Sequence, residues 1–126
     1  MQKFARAGIA ALVLAICISA AHAQVPATIA NTAKGQALVD AKGMTLYTFD
    51  RDATGKSNCT GQCATLWEPL AAAADAKASG DWTVIARDGG KQWAYKGKPL
   101  YTWSKDTKPG DVTGDGVNKI WHVATP

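Results

Sequence analysis

The chain has 126 residues and a formal net charge of +4, with five tryptophans among its few aromatic residues. A chain this short holds one small domain. So small a charge, with lysine and aspartate interspersed, lacks the basic signature of a nucleic-acid binder.

Residues 1–23 read as a secretory signal peptide. Lys3 and Arg6 form a basic start, Ala7 to Ala21 is apolar, and Ala21-His22-Ala23 is a small-x-small cleavage site before Gln24. The apolar run is short for a retained membrane span. Cys17 follows Ile16, where lipid attachment wants a small residue, so cleavage and export are expected without a lipid anchor. Cleavage would leave 103 residues, lower the net charge to +2, and keep Cys59, Cys63 and a single histidine, His122. A periplasmic or secreted protein of the bacterial envelope is expected.

The rest (24–126) reads as a single domain of two repeats, about 32–70 and 82–126, joined by a linker over 71–81. Gln24 to Asn31 reads as a flexible leading segment. Ala37–Asp40 and Met44–Phe49 form an expected hairpin around Ala41-Lys42-Gly43. Cys59–Leu66 has room for a short helical turn before Trp67-Glu68-Pro69, since proline discourages helix just before it. Ala71–Gly80 is small and polar, with at most one or two helical turns. Trp82–Arg87 and Lys91–Tyr95 form a second hairpin, because Asp88-Gly89 supplies the positive φ of a tight turn. Lys96-Gly97-Lys98 turns into Leu100–Trp103, and Ile120–Val123 is a late strand.

These elements repeat. Lys42-Gly43-Met44-Thr45-Leu46-Tyr47-Thr48-Phe49 returns as Lys96-Gly97-Lys98-Pro99-Leu100-Tyr101-Thr102-Trp103, and the 54-residue offset still holds where Trp67 matches Trp121. The fold class is therefore all-β: two tandem β-rich repeats related by a pseudo-twofold axis, in one small sandwich- or barrel-like domain. Strand alternation puts Tyr47 with Phe49, and Tyr101 with Trp103, on one face. Leu46, Thr48 and Asp50 share the other.

Each copy carries an aromatic pair followed by an acid, Tyr47-x-Phe49-x-x-Asp52 and Tyr101-x-Trp103-x-x-Asp106. One reading is a stacking platform for a sugar, which needs Trp103, Trp82 or Trp93 exposed in a cleft. The other is a packed sheet face, with each aspartate accepting backbone N–H bonds at a turn. Duplication favours structure, because a scaffold must recur in both halves while a ligand site need not. Tyr47, Phe49, Asp52, Trp67, Tyr101, Trp103, Asp106 and Trp121 are thus read as mainly structural.

With Ser57-Asn58-Cys59-Thr60-Gly61-Gln62-Cys63 after the first copy and Pro109-Gly110-Asp111 after the second, the chain resembles the secreted-repeat family of predicted bacterial lipoproteins with a Yx(FWY)xxD motif. The resemblance covers nearly all of the chain after residue 23. It implies export and a β-rich repeat, and it carries no activity and no catalytic residues. Relatives often have Trp-Pro-Pro-Leu where this chain has Trp67-Glu68-Pro69-Leu70.

Cys59 and Cys63, alone in an oxidising compartment, argue for a disulfide. The rival is a soft copper(I) or redox site of Cys59, Cys63 and His122, with Met44 as a spare thioether. The spacing is C-x3-C rather than that of thioredoxin-like sites, and Ala64 stands where copper-delivery proteins have proline. Asp111-Val112-Thr113-Gly114-Asp115-Gly116 resembles the start of a calcium loop, but its twelfth position is His122 instead of an acid. A Gly/Asp-rich turn is the simpler reading. No nucleophile is tied to His122 by a motif, so no catalytic residues and no cofactor are expected. The functional expectation is a non-enzymatic exported module that binds or supports an envelope component or small ligand, with thiol-based copper or redox work and carbohydrate binding as alternatives.

Overall fold

The structure, a computed structural model, describes residues 25–126. The signal-peptide reading of residues 1–23, Cys17 included, lies outside the described residues. Among those described, no helix is long and apolar enough to cross a membrane.

Each copy begins with a hairpin. In the first, β1 (Thr28–Thr32) pairs with β2 (Gly35–Val39). The flexible leading segment expected over Gln24–Asn31 is contradicted by this strand: β1 has no apolar alternation, and its order comes from the ladder it shares with β2. The chain continues through β3 (Tyr47–Phe49), the single-turn helix α1 (Gln62–Leu66), β4 (Trp67–Pro69) and β5 (Ala71–Ala72). The second copy supplies β6 (Trp82–Arg87), β7 (Gly90–Tyr95), β8 (Lys98–Pro99), β9 (Tyr101–Trp103) and β10 (Trp121–Val123). Helical turns at the start of the 71–80 segment do not form. Ala71 and Ala72 instead add a short strand to β7, where the ladder outweighs alanine's helix preference.

The two copies interleave. The central sheet runs β10-β3-β9-β4, so strands of the second and first copies alternate across it. Tyr47 lies opposite Tyr101 at its centre. On either side, Trp121 pairs with Phe49 and Trp67 with Trp103. The 54-residue offset converts each of these pairs into the other, which is the mark of a pseudo-twofold axis through the Tyr47–Tyr101 pair. Among the described residues, the sheets do not close into a barrel.

Strand alternation sorts two cores onto opposite faces of β3 and β9. One is aromatic: Tyr47, Tyr101, Trp67, Trp103 and Trp121, with Cys59. The other is aliphatic, built on Leu46 and Leu100 with Leu38 of the first hairpin, and half-buried Trp82 packs against it. Burying one aromatic side chain removes roughly 150–250 Å² from water. The aromatic core is therefore the chief apolar contribution to a domain this small.

Candidate functional site

The motif residues meet across copies. Tyr47 donates its hydroxyl to Asp106 Oδ2 at 2.7 Å, and Tyr101 donates to Asp52 Oδ2 at 2.6 Å. Each tyrosine thus bonds the aspartate of the other repeat. The remaining carboxylate oxygens accept within their own turns. Asp52 Oδ1 takes the Asn58 N–H at 2.6 Å, and Asp106 Oδ1 takes the Thr113 N–H and hydroxyl at 3.0 and 2.6 Å. Burial first, and then the bond to Asp106, holds the Tyr47 phenol far above its ordinary pKa. Burial and the bond to Asp52 do the same to Tyr101. Burial also raises the Asp52 carboxyl, against the opposing pull of the Asn58 N–H and the Tyr101 hydroxyl.

The aromatic partners form a column. Phe49 stacks on Trp121 at 4.1 Å between centroids, Trp121 on Trp67 at 3.7 Å, and Trp67 on Trp103 at 3.9 Å. Tyr47 meets Trp67 edge-on, and Tyr101 meets Trp121 likewise. All eight motif side chains are therefore engaged with one another. Trp103 and Trp93 are only 9% and 8% exposed, so neither offers an open stacking face.

Other partners lie outside the tyrosine–aromatic–aspartate motif. Arg87 reaches from β6 to Ser57 Oγ at 2.9 Å, Gln92 Oε1 at 2.8 Å and the Cys59 carbonyl at 2.8 Å. Ser57 in turn bonds the Tyr101 hydroxyl at 2.6 Å. Gly114 sits against the rings of Tyr47 and Trp67, where a Cβ would lie 2.9 Å from both, and its N–H donates to the Tyr47 oxygen. Only the bare backbone permits that approach. Arg87 and Gln92 have no period or spacing that would mark them in the sequence, and nothing there ties Ser57 or Gly114, which stand in the segments after the two motif copies, to the tyrosines.

Cys59 and Cys63 form a disulfide. Cys59 is fully buried in the aromatic core to which Trp121 also belongs, while His122, next along β10, projects to the opposite, exposed side. The structure does not bring the three together, and among the described residues no three His, Cys, Asp or Glu side chains cluster as metal ligands. The calcium-like loop spends its ligands locally. Asp111 accepts from Thr107 and Lys108, which lowers its pKa, chiefly through the Thr107 N–H. Thr113 serves Asp106, and Asp115 accepts the Val123 N–H at 3.0 Å.

Two clefts flank the central sheet. One, of about 550 Å³, is bounded by Asp40, Met44, Glu68, Trp93, Thr102 and Ser104. The other, of about 380 Å³, is bounded by Tyr95, Lys98, His122, Thr48 and Asp50. They are pseudo-twofold counterparts. Thr102 corresponds to Thr48, Ser104 to Asp50, Met44 to Lys98 and Glu68 to His122, all at the same offset. Asp40 and Tyr95 correspond as well. The turn of the first copy is one residue longer, Val39 bridging Thr45 where Ala94 pairs with Pro99. In the second cleft His122 Nε2 lies 2.8 Å from Asp50 Oδ2. The framework is thus duplicated, and the chemistry of the two clefts has diverged.

A family model described as a secreted repeat of unknown function matches the chain twice, over residues 28–71 and 82–125. No curated protein matches it, and neither does any solved structure.

Proposed function

The chain belongs to the family of secreted repeats of unknown function, and from that premise we propose that it is an exported, non-enzymatic module of the bacterial envelope, cleaved before Gln24 and without a lipid anchor. The motif residues are its scaffold, and the two diverged clefts are its binding surface. One observation carries this reading: the tyrosine, aspartate and tryptophan side chains of both copies satisfy one another across the pseudo-twofold axis. A group occupied in this way is not offered to a substrate. The disulfide supports the same reading, since oxidised cysteines neither bind copper(I) nor attack a disulfide.

Mass spectrometry of protein recovered from the periplasm under non-reducing conditions tests it. The expected species begins at Gln24, carries no free thiol and no metal. Free thiols with stoichiometric copper would establish the rival thiol-based role instead. Carbohydrate binding needs an open indole face, and of Trp82, Trp93 and Trp103 only Trp82 is more than marginally exposed. It requires tryptophan fluorescence that acrylamide quenches and a sugar protects, whereas the scaffold reading expects quenching of half-buried Trp82 alone.

A further inference from the structure

We infer that the larger cleft, the one beside Glu68, binds a primary ammonium carried on an apolar stem. This rests on the module reading and names the ligand class of one of its clefts. Its volume, about 550 Å³, lies within the roughly 300–1,000 Å³ usual for small-molecule sites. The pseudo-symmetric cleft serves as an internal control, because the two share a backbone framework and differ in side chains.

In the smaller cleft, His122 and Asp50 face one another at 2.8 Å and satisfy each other. In the larger cleft the same two positions hold Glu68 and Ser104, an acid and a hydroxyl. Among the described residues, Glu68 has neither an ion-pair partner within 4.0 Å nor a hydrogen-bond donor. Asp40 adds a second carboxylate. Its Oδ1 accepts the Lys42 and Met44 N–H groups, each at 2.9 Å, and its Oδ2 has no protein donor among the described residues. The third acid at the cleft, Asp106, is spent on Tyr47 and Thr113. One cation, Lys42, also borders the cleft and pairs with neither acid.

The cleft is therefore lined by two acids with spare oxygens, exposed Glu68 and half-buried Asp40, together with the apolar side chains of Met44, Pro69, Trp93 and Trp103. Carboxylates left to a ligand favour a cation, and the ammonium group supplies three donors for them. The apolar side chains cover the stem. The indoles are too buried to act as stacking platforms, so they serve as apolar surface rather than as sugar-binding faces.

The test follows the Met44 methyl resonance of the disulfide-bonded, metal-free protein while hexylammonium, hexanol, hexanoate and cellobiose are each titrated in. Hexylammonium alone is expected to give a saturable shift. Glu68→Gln and Asp40→Asn should each weaken it about three- to fivefold, as for partly exposed charge pairs, while His122→Ala leaves it unchanged. The assignment is overturned if hexanol or cellobiose binds equally well, if hexanoate binds more tightly, if the double variant Glu68→Gln/Asp40→Asn binds like the parent, or if no ligand shifts Met44. Failure in the oxidised, metal-free protein overturns the ammonium assignment alone. The module reading would fall separately, to reduced thiols with bound metal.

Discussion

Tyr47 bonds Asp106, 59 positions later in the chain, rather than Asp52 of its own motif. Tyr101 makes the reciprocal choice. The same crossing governs the turns: a Cβ on Gly97 would strike Thr54 of the other copy at 2.8 Å, and one on Gly43 would lie 3.1 Å from Pro109. Neither repeat completes its motif alone, which makes the pair one folding unit.

The crossing has a thermodynamic signature. A double-mutant cycle of Tyr47→Phe with Asp106→Asn, read by urea denaturation, should show a coupling of about 1–2 kcal/mol. The cycle of Tyr47→Phe with Asp52→Asn should be additive within about 0.5 kcal/mol. A coupling to Asp52 larger than that to Asp106 would mean that the tyrosines bond within their own repeats.

Gly114→Ala should destabilise by about 1–3 kcal/mol, because the added methyl overpacks against Tyr47 and Trp67. Gly90→Ala is the control. Its Cβ would meet nothing within 4 Å and its φ is not positive, so a change within about 0.5 kcal/mol is expected. Chemical denaturation of both variants checks the contrast.

The disulfide closes a very short loop, for which chain entropy supplies about 2 kcal/mol. Cys59→Ser also buries a hydroxyl in the aromatic core, so it should cost more than Cys63→Ser, whose side chain is only partly buried. Thermal melts should place Cys63→Ser roughly 8–16 °C below the parent, at about 4–8 °C per kcal/mol for a domain of this size. Cys59→Ser should melt lower still.

Stability should fall at alkaline pH. Tyr47 and Tyr101 are held above their ordinary value in the folded protein, so the unfolded chain loses their protons first, from about pH 10. Their contribution is complete below that pH and is lost as pH rises, at up to about 1.4 kcal/mol per pH unit for each tyrosine. On the acid side Asp52, raised by burial, favours the folded state as it protonates, whereas Asp111, lowered by its N–H partners, favours it as it ionises. Urea midpoints across pH 8–11, with tyrosinate absorbance, check the alkaline limb. A midpoint unchanged up to pH 11 would contradict it.

The sequence by itself determined the duplication, the β class, the facing of Tyr47 and Phe49, the Asp88-Gly89 hairpin and the site of the helical turn. All of these are local: strand period, turn chemistry and self-similarity at a fixed offset are properties of neighbouring residues. The structure alone decided which copy completes which. An offset of 54 is satisfied equally by two repeats packed side by side and by two interleaved ones, since both keep every residue's own pattern. Interleaving wins because it puts Trp67 on Trp121 and gives each motif aspartate a tyrosine donor. It also decided the clefts. Glu68 and His122 were visible as counterparts in the repeat. That His122 has Asp50 as a partner, while Glu68 faces a cleft with none, depends on β3 lying beside β10 and on β4 lying beside β9, contacts between segments dozens of residues apart.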